Sequence, residues 1–136
     1  MGMFDYFYLE DGIELPDGFD GDGVEFQTKS IYSFMERYRL TKDGRLQMWI
    51  NDGHEGTGEF YDSPIFGRRE REREINGRWS DNRYHGDVYF YASEKGDKPL
   101  NERRWHEYRA RFTEGVLHGP ILTKETIEDE RDWHGR

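Results

Sequence analysis

Asx-Gly pairs punctuate this chain at short intervals: Asp11-Gly12, Asp17-Gly18, Asp43-Gly44, Asp52-Gly53 and Asn76-Gly77, with Glu114-Gly115 and His118-Gly119 as weaker relatives. Such pairs supply the positive φ angles that tight hairpins need. Between them lie short runs rich in aromatic and β-branched residues. A chain cut in this way reads as antiparallel β-structure.

The expected strands are Phe4 to Leu9, Val24 to Lys29, Phe34 to Leu40, Arg45 to Ile50, Gly58 to Tyr61, Asp87 to Ala92, Trp105 to Phe112 and Val116 to Thr123. The segments flanking Asp43-Gly44 make the clearest hairpin, and Val116 to Thr123 is expected to pair back across Glu114-Gly115. Period-two alternation sorts each strand into two faces. Val88, Phe90 and Ala92 oppose Tyr89 and Tyr91; Tyr108, Ala110 and Phe112 oppose Glu107, Arg109 and Arg111. Lys124 to Trp133 lacks alternation and reads as a short C-terminal helix or a frayed tail.

The length of 136 residues fits one domain, residues 1–136. Only 33% of residues are hydrophobic and 36% are charged, a balance that alone would suggest disorder. Four Trp, nine Tyr and nine Phe argue otherwise, because each ring buries a large area and few are needed for a core. The expected fold is therefore all-β or β-dominated, a single antiparallel sandwich or open barrel with an aromatic core. With no cysteine, disulfides and thiolate metal sites are excluded, and the cytosol is the expected compartment. No apolar run approaches a membrane span, and the N-terminus lacks the pattern of a signal peptide.

From Arg69 to Glu74 the charge alternates strictly, which on a strand makes one basic and one acidic face. We expect an exposed hairpin arm there, whose charged edge discourages aggregation.

Residues 1 to 28 contain no Lys or Arg, yet they carry Asp5, Glu10, Asp11, Glu14, Asp17, Asp20, Asp22 and Glu25. This segment accounts for most of the net charge of -9. Such a field repels nucleic acid and attracts basic protein surfaces. These eight residues are the candidate partner-binding surface. The partner expected is a protein with a basic surface, with no direct nucleic-acid or membrane contact; exposed aromatic strands would also allow a dimer.

Catalytic signatures are sparse. The Asp17 to Gly23 loop has the composition of a calcium loop without the register or flanks of an EF-hand. His54, His85, His106, His118 and His134 form no zinc pattern. No serine sits in a GxSxG elbow, and no phosphate-cradling glycine loop is present. No cofactor, metal or catalytic residue is expected, although an unrecognised hydrolase stays open. A further alternative is a nucleotide-sequestering binder. Trp79, Tyr84, Tyr89, Tyr91 and Trp105 would stack on bases, and Arg103, Arg104, Arg109 and Arg111 would pair with phosphates.

Met1-Gly2-Met3-Phe4-Asp5, Leu15-Pro16-Asp17-Gly18, Phe26-Gln27-Thr28-Lys29 and Asp43-Gly44-Arg45-Leu46 follow one another in the first third of the chain. Together they resemble a family of small phage and prophage proteins with this N-terminal pattern. The resemblance implies a phage accessory protein in a bacterial cytoplasm, acting by binding a host protein, often one of a defence system.

Overall fold

The structure, a computed structural model, describes residues 3–93 and 105–124. It is nearly all β, as the turn spacing predicts. In chain order the strands are β1 Asp5–Leu9, β2 Phe26–Thr28, β3 Arg37–Leu40, β4 Leu46–Ile50, β5 His54–Ser63, β6 Gly67–Glu74, β7 Arg78–Asp81, β8 Gly86–Ser93, β9 Trp105–Thr113, β10 Val116–Leu117 and β11 Leu122–Thr123. Two compact units are formed: one from the described residues up to Met48 and from Asp81 onward, the other from Trp49–Ser80. The expected helix over Lys124 to Trp133 falls, beyond Lys124, outside the described residues. Among the described residues no helix is long and apolar enough to cross a membrane.

In the first unit the strands lie in the order β10-β9-β8-β2-β1-β3-β4. Alternation decides which side is buried. Phe7 and Leu9 of β1, Phe26 of β2, Tyr38 and Leu40 of β3, Val88 and Phe90 of β8, and Tyr108, Ala110 and Phe112 of β9 all point inward. Their rings interlock around Phe90. Phe7 lies 4.7 Å from it, centroid to centroid, Phe26 meets it edge-on at 5.2 Å, and Tyr108 stacks at 5.3 Å. Paired rings in such offset and edge-on geometries gain roughly 0.5–1.5 kcal/mol each beyond simple burial.

The sheet curls into an open half-barrel, and one corner of it is stitched. Arg45 and Val116 form an isolated antiparallel bridge. Beside it Leu46 N–H donates to Gly115 O at 2.8 Å and Leu117 N–H to Gly44 O at 2.7 Å. The segment Val116 to Thr123 is two short strands rather than one, and both pair with β9.

One pairing departs from the antiparallel expectation: β1 and β3 are parallel, with Tyr6 opposite Arg37 and Leu9 opposite Leu40. The reason is the connection Lys29–Glu36. It stays at the end of the sheet where β2 finishes and steps across the start of β1. β3 therefore begins where β1 begins. The step is organised by Asp5, which is 0% exposed. Its Oδ2 accepts from the N–H groups of Tyr32 (3.0 Å) and Ser33 (2.7 Å), and its Oδ1 from those of Phe34 (3.0 Å) and Glu36 (3.0 Å).

The second unit is a twisted hairpin on a small aromatic base. Trp49 and Trp79 meet edge-to-face at 5.3 Å, and Trp49 Nε1–H donates to Glu74 at 2.6 Å. β5 and β6 pair from His54 opposite Glu74 to Ser63 opposite Gly67, with an irregularity between Gly56 and Phe60. Nearly all of this ribbon is exposed. β5 is longer than the expected Gly58 to Tyr61, because the Ser63-to-Gly67 turn carries no Asx-Gly signal. A two-fold axis at the outer edge of β6 would set Arg against Arg and Glu against Glu, so strict alternation disfavours closed edge-to-edge pairing.

Candidate functional site

The acidic segment Glu10–Glu25 is the connection between β1 and β2, and it is a built structure. Its apolar residues anchor it from within: Leu15 and Val24 are buried, and Ile13 and Phe19 pack against the core. Gly21 sits so close to Leu9 and Leu15 that an added Cβ would lie 2.9 Å and 3.2 Å from their methyl groups. The Leu15-Pro16-Asp17-Gly18 turn closes with Gly18 N–H donating to Leu15 O at 3.0 Å.

Carboxyl groups fasten the outside of the loop. Asp22 accepts from Gly12 N–H, Asp20 from Asp22 N–H, Glu10 from Lys42 N–H and Glu25 from the Tyr8 hydroxyl. Asp17 is the strongest fastener. The Tyr108 hydroxyl donates to it at 2.9 and 3.0 Å, Phe19 N–H at 3.1 Å, and His106 Nδ1 lies at 3.4 Å. The Phe19 ring stacks on His106 with centroids 4.1 Å apart. Asp11 and Glu14 make no hydrogen bond or ion pair among the described residues and point their charge to solvent.

The loop encloses a shallow cavity of about 400 Å³. Its floor is Ile13, Leu15 and Phe19, and its rim carries Glu14, Asp20 and Asp22. An apolar floor under a carboxylate rim suits a lysine or arginine side chain, which has an apolar stem and a cationic head. Neither His106 nor Asp17 lines this cavity. Among the described residues no three His, Asp or Glu side chains converge to hold a metal ion.

Seven of the eight acidic residues thus belong to the β1–β2 connection, and one does not. Asp5 is a correction to the expected surface: it is an interior group whose oxygens are taken up by four backbone N–H donors. Asp17 is also partly withdrawn by its bonds to β9. The signal for Asp5 was present in the alternation, which sets it on the same face as Phe7 and Leu9. Nothing local marks Tyr108 and His106 as partners of Asp17.

The alternative stacking set is divided. Trp79 belongs to the second unit. Tyr84 has its hydroxyl engaged with Ser30 O and Asp87 O, each at 3.0 Å, and its ring against the core. Arg111 is paired with Asp87 at 2.8 Å. Tyr89, Tyr91, Trp105 and Arg109 do share the outer face of β8 and β9, with Tyr89 opposite Arg109 and Trp105 edge-on to Tyr91 at 6.0 Å. Sequence reasoning missed that Gln27 and Tyr6 continue this row across the sheet from Tyr91 to Arg37. Arg103 and Arg104 lie outside the described residues.

Asp17 gives the loop a pH dependence. Burial pushes its carboxyl up, but the bonds from Phe19 N–H, the Tyr108 hydroxyl and the His106 ring outweigh that and hold it below the usual carboxylate range. A group lowered on folding adds stability above its unfolded value of about 3.9 and loses it as pH falls through the lower folded value. Tyr108→Phe keeps the ring and removes one of the bonds. It should cost about 1 kcal/mol at neutral pH. Urea midpoints measured toward acid should then fall less steeply than in the parent protein; parallel curves would refute the role of this bond. The chain matches no family model, no curated protein and no solved structure.

Proposed function

We propose that this is a phage-type accessory binding protein, non-enzymatic, that attaches to a basic surface on a host protein through its β1–β2 connection. Interference with a host defence protein is the use that the phage-like N-terminal pattern suggests. The observation that carries the reading is the cavity with its apolar floor of Ile13, Leu15 and Phe19 and its rim of Glu14, Asp20 and Asp22. A lysine or arginine of the partner would lay its stem on the floor and its charge among the carboxylates. Asp11, Glu10 and Glu25 extend the negative field around it. Carboxylates held in place by the loop's own hydrogen bonds would stand where phosphates stand in a nucleic acid, so binding should weaken with salt.

The test uses residues that do not fasten the loop. Asp11→Lys with Glu14→Lys should leave thermal stability nearly unchanged. An exposed ion pair contributes about 0.2–1 kcal/mol, and reversal turns attraction into repulsion at two positions. Capture of host protein from a bacterial lysate should therefore weaken about tenfold at low salt and lose much of its salt dependence. Unaltered capture by the double variant would remove the acidic contact from consideration.

A further inference from the structure

The β5–β6 ribbon carries a second charged surface, of opposite sign. On β6, Arg69, Arg71 and Arg73 point to one face and Glu70, Glu72 and Glu74 to the other. Successive arginines on the face are two residues apart, roughly 6.8 Å along an extended strand. That spacing is close to the separation of neighbouring phosphates on an extended single strand.

The guanidinium groups are held by rings. Arg69 lies over Phe66 and Arg71 over Tyr61, each 4.9 Å from the ring centroid; Arg68, which alternation sets on the opposite face with Glu70, lies over Phe60 at 4.7 Å. Stacking fixes the plane of a guanidinium and consumes none of its five N–H donors. Neither the Arg69 nor the Arg71 guanidinium donates a hydrogen bond to the described residues, which leaves those donors open to a ligand. Arg73 differs, being tied to Glu55 at 2.6 Å. An open groove of about 810 Å³ runs along Tyr61, Phe66, Arg68, Arg69 and Arg71, and Glu70 and Glu72 also border it. At the hairpin tip Ile65 is 82% exposed and Phe66 66% exposed, so apolar and aromatic surface adjoins the cationic row.

We propose that this basic face binds single-stranded nucleic acid. The ring-braced arginines track the phosphates, and Tyr61 and Phe66 offer surface for bases. Glu70 and Glu72, which border the groove, repel the same ligand and so hold it to the side of Arg69 and Arg71. This goes beyond the acidic-loop reading and rests on a different unit of the protein. The net charge of -9 keeps affinity modest. Neutralising two or three phosphates gives a salt slope of about -1.4 to -2.1, or roughly a tenfold loss between about 50 and 200 mM salt.

The experiment is fluorescence anisotropy of a labelled oligothymidylate with the full chain, followed by competition with a duplex of equal length and with polyglutamate. We expect saturable binding with that slope, weakened at least tenfold by Arg69→Gln with Arg71→Gln. Glu70→Gln with Glu72→Gln, on the opposite face, should bind as well as the parent or better. Asp11→Lys with Glu14→Lys should bind no worse, which separates this site from the acidic loop. No binding by the parent protein at low salt overturns the proposal. Stronger competition by polyglutamate reassigns the face to an acidic protein, and stronger competition by duplex overturns the single-strand assignment. Equal losses in the Arg and the Glu variants would also overturn it.

Discussion

Asp5→Ala should cost the sheet unit at least about 4 kcal/mol, enough to leave it largely unfolded if its stability lies in the ordinary range of about 5–15 kcal/mol. The cause is the Asp5 carboxyl group. It is fully buried and accepts from four backbone N–H groups at 2.7 to 3.0 Å. Each buried donor stranded without an acceptor costs about 1–3 kcal/mol, less for those that reach water. The loop it holds is itself strained. Ser33 and Met35 sit at φ of 59° and 63°, a conformation that costs non-glycine residues about 1–2 kcal/mol each. Without Asp5 the loop has reason to relax, and it is this loop that starts β3 alongside β1. Asp5→Asn should be nearly as damaging, because its NH2 group would face N–H donors in place of one oxygen. Urea denaturation of the three proteins checks this. Midpoints for Asp5→Ala within about 1 kcal/mol of the parent would refute the bracing role.

The same residue marks the limit of what can be read in the chain. The strands themselves were legible, because Phe7, Phe26, Phe90, Tyr108 and Phe112 recur on one face of alternating segments and Asx-Gly pairs separate them. Asp5 was legible only in part: alternation sets it on the face of Phe7 and Leu9, but it stands among seven other acidic residues of the same segment, and its donors lie 27 to 31 residues away. Asp17 shows the same effect at longer range: its Leu-Pro-Asp-Gly turn is a local signal, but the Tyr108 that fixes it is 91 residues distant. The parallel pairing of β1 with β3 is a consequence of the Asp5 loop and has no local signature. The two faces of β6 were readable from charge alone. The partner strand β5 was read only in part, because an exposed ribbon needs no apolar alternation and its turn at Pro64 to Phe66 uses other chemistry. The cavity in the acidic loop needed Ile13, Leu15 and Phe19 to be brought together by the fold.

Gly115→Ala is the second substitution expected to be severe, at about 4 kcal/mol or more, and its cause is the stitched corner of the half-barrel. Gly115 has φ of +81°, and an added Cβ would lie 1.9 Å from Asn82 O and 3.3 Å from Arg83 Cα. Both are backbone atoms, so no side chain can swing away. The residue is also bonded on both sides: its N–H donates to Tyr84 O at 2.9 Å and its carbonyl accepts from Leu46 N–H at 2.8 Å. Relieving the overlap therefore means parting the β9–β10 turn from β4 or from the 82–84 segment. Gly44 provides the comparison. It has a similar φ of +88°, but its added Cβ would meet only Leu117 Cβ at an ordinary 3.6 Å. Gly44→Ala should then show the backbone strain alone, about 1–2 kcal/mol. The difference between the two variants in urea denaturation measures what close packing at the corner contributes. Amide exchange at Leu46 and Leu117, the two donors that close the corner, should accelerate far more in Gly115→Ala than in Gly44→Ala. Equal destabilisation by the two alanines would mean that the corner yields freely, and that the curl of the sheet is maintained by the aromatic core without this stitch.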